Sequence, residues 1–72
     1  MNKNELEAMM KRHGDTGGAL AEYLGIARST FSAKINETNG AEFTQGEIRK
    51  IKAKYCLSAE DIDVIFFGKE VS

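Results

Sequence analysis

Cysteine, histidine and long apolar runs are scarce in this chain. Cys56 is the only cysteine among 72 residues, which excludes an intrachain disulfide and makes a reducing compartment the simplest expectation. The apolar runs are far shorter than the ~20 residues that a bilayer-spanning helix needs, and the N-terminus lacks the apolar region of a signal peptide. We therefore expect a cytoplasmic protein without a membrane partner.

The residue sets that support catalysis or cofactor binding are also missing. His13 has no second histidine or cysteine at the spacing of metal ligands, and its place at the end of a predicted first helix suits the helix dipole. No Ser-His-Asp arrangement is visible, and the carboxylates are scattered over capping and solvent positions. We expect no metal, no cofactor and no enzymatic activity.

The composition indicates one small globular domain with an uneven charge. Hydrophobic residues make up 42% and charged residues 29%, and we expect a single domain over residues 1–72. Residues 28–54 carry six basic and three acidic side chains, whereas residues 55–72 carry one basic and four acidic. In this layout the positive segment could face DNA and the acidic segment could lie on the far side. The pI of 5.8, however, is low for a strong nucleic-acid binder.

The chain is organised around residues 16–36. Apolar residues recur at Leu20 and Leu24 and again at Phe31 and Ile35, and Gly25 separates the two pairs. The spacing predicts two short helices joined by a tight turn, a helix-turn-helix, because Gly25 can adopt the left-handed conformation that ends a helix. The second helix would present to water a face of small and polar side chains within an arc of roughly 140°: Arg28, Ser29, Ser32, Ala33 and Asn36.

Three further helices are predicted from their starting signals. A capping residue followed three positions later by an acidic residue occurs at Asn2 with Glu5, Thr44 with Glu47, and Ser58 with Asp61. Thr16 is the natural N-cap of the first helix of the motif. Together these signals predict an all-α fold of five short helices.

Residues 20–36 read Leu-Ala-x-x-Leu-Gly-Ile-x-x-Ser-Thr-Phe-Ser-x-Lys-Ile-Asn, which resembles the helix-turn-helix of the Cro/repressor family of temperate bacteriophages. Residues 42–51, Glu-Phe-Thr-Gln-Gly-Glu-Ile-Arg-Lys-Ile, are similar to the fourth helix of small phage regulators. The resemblance covers nearly the whole chain. It implies a compact five-helix repressor-like DNA-binding domain, with the motif at residues 16–36 and a short tail at residues 69–72.

In such a family the second helix of the motif lies in the major groove of DNA. In that register Arg28 offers a bidentate fork to guanine, and Ser29 and Ser32 can donate or accept at a base edge. Ala33 would contact a thymine methyl group. The alternative is that these are ordinary solvated residues of a helix.

Candidate phosphate contacts lie at both ends of the motif. Asn36 matches a family position that commonly binds a phosphate, and we expect Lys34 to support binding to all sequences alike. Thr16 caps the other end, and Gly17 stands where the family often has glutamine. The pair Gly17 and Gly18 either leaves backbone N–H groups and the helix dipole to attract a phosphate or gives a flexible entry into the helix.

The predicted fifth helix is apolar nearly all round. Val64 and Phe67 lie off its core-facing side, so we expect them to form a self-association surface, and the resemblance implies a homodimer through this end. The alternative is that the tail at residues 69–72, with Val71, folds back and covers them.

Two functions remain open at this point. The first is a phage-type DNA-binding transcriptional regulator that binds double-stranded operator DNA in the lytic/lysogenic switch, in the cytoplasm of a bacterial host. The second is an antirepressor or modulator of the same fold, which binds a co-encoded phage repressor and covers its DNA-reading surface. The complete motif favours the first function. The low pI, Gly17, and Ala27 in place of a capping Ser or Thr favour the second.

Overall fold

The computed structural model describes residues 1–68. Over these residues the chain consists of five α-helices and one short 3₁₀ helix, with no strand. The elements are α1 Lys3–Arg12, α2 Gly17–Leu24, α3 Arg28–Ile35, the 3₁₀ helix Thr38–Gly40, α4 Gln45–Tyr55 and α5 Ala59–Phe66. The predicted all-α class and its five α-helices are therefore confirmed, while the tail at residues 69–72 lies outside the described residues.

Two helices begin with the capping boxes that the sequence predicts. Thr44 Oγ1 accepts from Glu47 N–H at 3.2 Å, and the Glu47 carboxylate accepts from Thr44 N–H at 2.8 Å. Ser58 and Asp61 form the same reciprocal pair at the start of α5, with both distances at 3.0 Å. Each box satisfies two backbone donors that a helix start would leave without partners.

The predicted box at Asn2 forms only in part. Asn2 Oδ1 accepts from Glu5 N–H at 3.2 Å, but Asn2 N–H donates to Ile65 O at 2.6 Å instead of to the Glu5 side chain. The prediction of a reciprocal Glu5 bond was therefore wrong. Its physical reason is a tertiary bond to α5, which satisfies the donor and ties the start of α1 to the last turn of α5.

The turn between α2 and α3 follows the glycine signal. Gly25 has φ 75°, in the left-handed region, and its N–H donates to Glu22 O at 3.1 Å. Ile26 N–H donates to Ala21 O at 3.0 Å, and the Ile26 side chain packs half-buried against the core. Ala27 begins α3 without a side-chain cap. The turn is therefore held by backbone bonds and apolar packing.

One core lies between the helices. Leu6, Leu20 and Ile51 are its most completely buried large side chains, and Phe43 joins them through edge-on contacts with Phe31 and Phe66. The remaining buried residues are Met10, Ala21, Leu24, Ile35, Ile48, Tyr55, Leu57, Ile62 and Ile65. Every α-helix contributes apolar side chains to this core. Because the Cys56 thiol is free, no disulfide supports the fold, and apolar burial is the main source of its stability.

A polar cluster joins the end of α1 to α4. Tyr55 O–H donates to the Asp15 carboxylate at 2.6 Å, and the His13 ring stacks on the Tyr55 ring with centroids 4.7 Å apart. Lys54 Nζ lies 3.6 Å from the Asp15 carboxylate and 4.8 Å from the centroid of the Tyr23 ring. His13, expected only to complement the helix dipole, is therefore also an aromatic contact between two helices.

Candidate functional site

The face of α3 that the sequence predicts to meet water is largely exposed. Arg28, Ser29, Ser32 and Asn36 are exposed, and Ala33 is half-buried. Phe31 and Ile35, on the opposite side of the same helix, are buried in the core. The 3.6-residue period of α3 thus separates one packing side from one small, polar side.

The Arg28 guanidinium lies against the first turn of α2. A Cβ atom added to Gly18 would be 2.7 Å from Arg28 Nε and 3.0 Å from Arg28 Cζ. A Cβ atom added to Gly17 would be 3.4 Å from Cε2 of Phe31, which is an ordinary contact. The two glycines therefore sit beneath side chains of α3. Neither interpretation of the pair from the sequence anticipated this close packing. At residue 18 it explains why glycine is present, because a side chain there would meet the Arg28 guanidinium.

A shallow groove of about 290 Å³ runs beside Arg28, between α1, α2 and α3. Its apolar floor includes Met10, Phe31 and Ile35. Its polar lining consists of Lys3, Glu7, Arg28, Ser32 and Asn36. A groove with an apolar floor and a mixed polar rim can hold part of a partner macromolecule, and two of its rim charges are positive.

Asn36 and Lys3 form the end of the groove that lies away from Arg28. Asn36 Nδ2 donates to Ser32 O at 2.9 Å, and Asn36 Oδ1 accepts from Lys3 Nζ at 2.7 Å. The bond to Ser32 thus fixes the Asn36 amide on α3, and the bond from Lys3 places the Lys3 ammonium beside that amide. Lys3 is not among the predicted site residues, because 33 residues separate it from Asn36 and no local pattern indicates that the two lie close together.

Lys34 is engaged inside the protein. Its Nζ lies 2.6 Å from Glu47 Oε1, and the two side chains are only 15% and 12% exposed. Burial raises the pKa of the Glu47 carboxyl, but the hydrogen bonds from Lys34 and Thr44, with the charge of Lys34, outweigh it and leave the pKa below its usual value. Lys34 was expected to contact phosphate, and in this arrangement its charge is already neutralised.

Thr16 and Gly17 serve α2 itself. Thr16 Oγ1 accepts from Ala19 N–H at 3.1 Å, which confirms the predicted N-cap. Gly17 is half-buried and faces the Phe31 ring. Thr16 remains exposed at the surface, whereas Gly17 offers little beyond its backbone.

The end of α5 carries a separate apolar surface. Phe67 is 59% exposed, and Val64 is half-buried. Phe67 borders a small pocket of about 140 Å³, whose other apolar lining residues are Met1, Phe43, Ile48 and Phe66. Tyr23, in α2, is the other large hydrophobic side chain exposed among the described residues, and Lys54 lies over its ring. The same pocket is also lined by the charged residues Lys34, Glu37 and Glu42, so the observation compatible with self-association is the exposed Phe67 side chain itself.

Two further observations concern residues 1–68 alone. None of the helices there has the length and apolarity needed to cross a membrane. That part of the chain also contains no group of three His, Cys, Asp or Glu side chains placed to hold a metal ion.

No protein-family model matches the chain, and no curated protein or solved structure shows significant similarity to it.

Proposed function

We propose that α2 and α3 form a helix-turn-helix and that the chain is a phage-type DNA-binding transcriptional regulator, Cro/repressor-like, acting in the lytic/lysogenic switch. The observation that carries this proposal is the surface of α3: small, polar and exposed, with the Arg28 guanidinium at its N-terminal end. An exposed helix with such a face fits the major groove of double-stranded DNA, which admits one α-helix.

Three residues have distinct roles on this proposal. Arg28 is the one long donor at the start of α3 and would bind guanine O6 and N7 or a neighbouring phosphate. Ser29 and Ser32 would donate to or accept from base edges. The backbone of α3 can approach the bases closely because these side chains are short.

The charge near α3 limits how much phosphate binding can contribute. Lys34 is paired with Glu47 and lies outside the groove. The cations that border the groove are Arg28 and Lys3, and Glu7 brings one negative charge to the same rim. Two phosphate contacts per chain correspond to a salt slope of about −2, or about −4 for a homodimer, in log K against log[salt]. We therefore propose an operator binder that depends on dimerisation for its affinity.

The ion pair between Lys34 and Glu47 also favours a second candidate function. An antirepressor or modulator of the same fold would bind a co-encoded phage repressor through α3 and cover that protein's DNA-reading surface. Ser29, Ser32 and Ala33 would allow close packing of a partner helix, because they are short, and the interface would need few cations. Such a complex would show modest salt dependence.

Purified protein distinguishes the two candidates. Duplexes are first selected from a random library on the immobilised chain, and their binding is then measured by gel shift against a scrambled duplex. In parallel the chain is mixed with the co-encoded repressor and analysed by size-exclusion chromatography. The regulator proposal predicts an enriched, salt-sensitive duplex and two separate protein peaks.

The modulator proposal predicts the reverse pattern. No duplex would be enriched, the two proteins would elute together, and the repressor would leave its operator when the chain is added. Enrichment of a duplex with no co-elution would eliminate the modulator. Co-elution without any DNA shift would eliminate the stand-alone regulator.

A further inference from the structure

Gly18 occupies a position at which the backbone does not require glycine. It is the second residue of α2, and its φ lies outside the positive region that four other glycines adopt: Gly14, Gly25, Gly40 and Gly68. Within a helix glycine is the least favourable residue apart from proline. The reason for Gly18 must therefore lie in what surrounds it.

The space that a side chain of residue 18 would fill is occupied by Arg28. An added Cβ atom would lie 2.7 Å from Arg28 Nε and 3.0 Å from both Cζ and Nη2. A non-bonded approach of 2.7 Å is essentially never seen for a real Cβ atom, and 3.0 Å is tighter than most such contacts. A methyl group on residue 18 would consequently displace the guanidinium, and the exposed Arg28 side chain could swing away without disturbing the core.

No polar contact among the described residues fixes the guanidinium. Within residues 1–68 no hydrogen bond or ion pair is formed by Arg28, which leaves its five N–H donors free for a ligand. Its position therefore depends on packing over the Gly18 backbone, at the rim of the groove that α3 borders. An arginine that is placed but unpaired is preorganised for an acceptor, because less side-chain entropy is lost on binding.

We propose that Gly18 is a positioning residue: by leaving room for the Arg28 guanidinium, it sets the affinity and sequence preference of the α3 surface for duplex DNA. This inference rests on the proposed function. Its distinctive consequence is that a substitution that strengthens α2 weakens DNA binding, since alanine is the better helix former but excludes the guanidinium.

Four variants test this: Gly18→Ala, Gly17→Ala, Arg28→Ala and the double variant Gly18→Ala/Arg28→Ala. Gly17→Ala is the matched control, because it gives the same helix the same methyl group but meets only the Phe31 ring at 3.4 Å. Both glycine variants should melt above the wild type, by up to about 4–8 °C. Binding to the selected duplex and to a scrambled duplex is then measured by fluorescence anisotropy.

We expect Gly18→Ala to weaken binding to the selected duplex by about 5-fold to 140-fold, the range for loss of one bidentate arginine contact. Gly17→Ala should bind within about 2-fold of the wild type. The double variant should bind no more weakly than Arg28→Ala alone, because both changes remove the same interaction. Full additivity, or unchanged binding in Gly18→Ala when Arg28→Ala binds weakly, would overturn the proposal.

A nuclear Overhauser measurement on the free protein separates this inference from the proposed function. Contacts between the Gly18 α protons and the Arg28 δ and ε protons should be present in the wild type and in Gly17→Ala, and lost in Gly18→Ala. Their absence from the wild type would refute the positioning role outright. Their presence in a wild type that enriches no duplex would reject both the DNA proposal and the role of Gly18 in it, leaving only a packing contact.

Discussion

Lys34 Nζ lies 2.6 Å from the Glu47 oxygen that also accepts from the Thr44 N–H. A single carboxylate oxygen therefore closes the capping box of α4 and binds α3 to α4. The pair is largely buried, so neither partner can be removed without leaving the other in a poorly hydrated site. Lys34 is thus a structural residue within the candidate site.

Replacement of Lys34 by methionine should lower stability more than DNA binding. We expect the free energy of unfolding to fall by about 1–3 kcal/mol, because Glu47 loses its charged partner. The DNA salt slope should stay within about half a unit of the wild-type value, whereas loss of a phosphate-binding lysine would flatten it by about one unit. Lys50→Met, at an exposed position of α4, is the control for unfolding in urea.

The same pair should make stability depend on acid pH. Because the folded-state pKa of Glu47 is lowered, its contribution is present above the ordinary glutamate pKa of about 4.3 and is lost as the pH falls through the folded-state value. In Lys34→Met this part of the acid dependence should shrink. An identical pH profile of urea midpoints in the variant and the wild type would contradict the assignment.

The hydrogen-bonded pair of Tyr55 and Asp15 should make folding stability depend on pH at both acidic and basic pH. The hydrogen bond from Tyr55 lowers the pKa of Asp15, partial burial opposes it, and the Lys54 charge adds to the lowering. Burial and the Asp15 carboxylate raise the pKa of Tyr55. The Tyr55 contribution is therefore fully present below the ordinary tyrosine pKa of about 10 and is lost as the pH rises toward the folded-state value.

Tyr55→Phe removes the hydroxyl and keeps the ring against His13. We expect this variant to be less stable than the wild type at pH 7, with the difference narrowing below about pH 4 and above about pH 10. Thermal unfolding followed by circular dichroism across this range measures the effect. A stability difference that stays constant at all pH values would show that the bond to Asp15 contributes nothing.

Phe67 provides a test of assembly. If the surface formed by Val64 and Phe67 mediates a homodimer, Phe67→Glu should place a charge in an apolar contact and convert the protein to monomer without unfolding it. Tyr23→Gln, at the other large exposed hydrophobic residue, should leave the molar mass unchanged. Light scattering that gives a monomeric mass for the wild type at high micromolar concentration would rule the surface out.

Local signals predicted the helix boundaries well. The side chains of Thr16, Thr44 and Ser58 each accept a hydrogen bond from the backbone N–H three residues later. Gly25 ends α2 by adopting a left-handed backbone conformation. These features involve only residues that are close in the sequence, so the residue pattern is enough to predict them. The exposed and buried sides of α3 follow from its helical period for the same reason.

The parts of the site that the sequence did not predict are contacts between distant residues. Lys3 with Asn36, and Lys34 with Glu47, each join two helices. The Arg28 guanidinium over Gly18 depends on how α3 crosses the start of α2. No residue pattern within one helix specifies such pairings, because they are set by the way the helices pack.

A salt titration shows whether α3 binds duplex DNA. Binding of the selected duplex is measured by anisotropy from about 50 mM to about 200 mM salt for the wild type, Ser32→Glu and Ala59→Glu. The control places the same charge on α5. We predict a wild-type slope of about −2 per chain, at least about 10-fold weaker binding for Ser32→Glu because phosphates repel the new carboxylate, and unchanged binding for Ala59→Glu. Equal affinities for all three proteins, or a wild-type affinity independent of salt, would contradict DNA binding through α3.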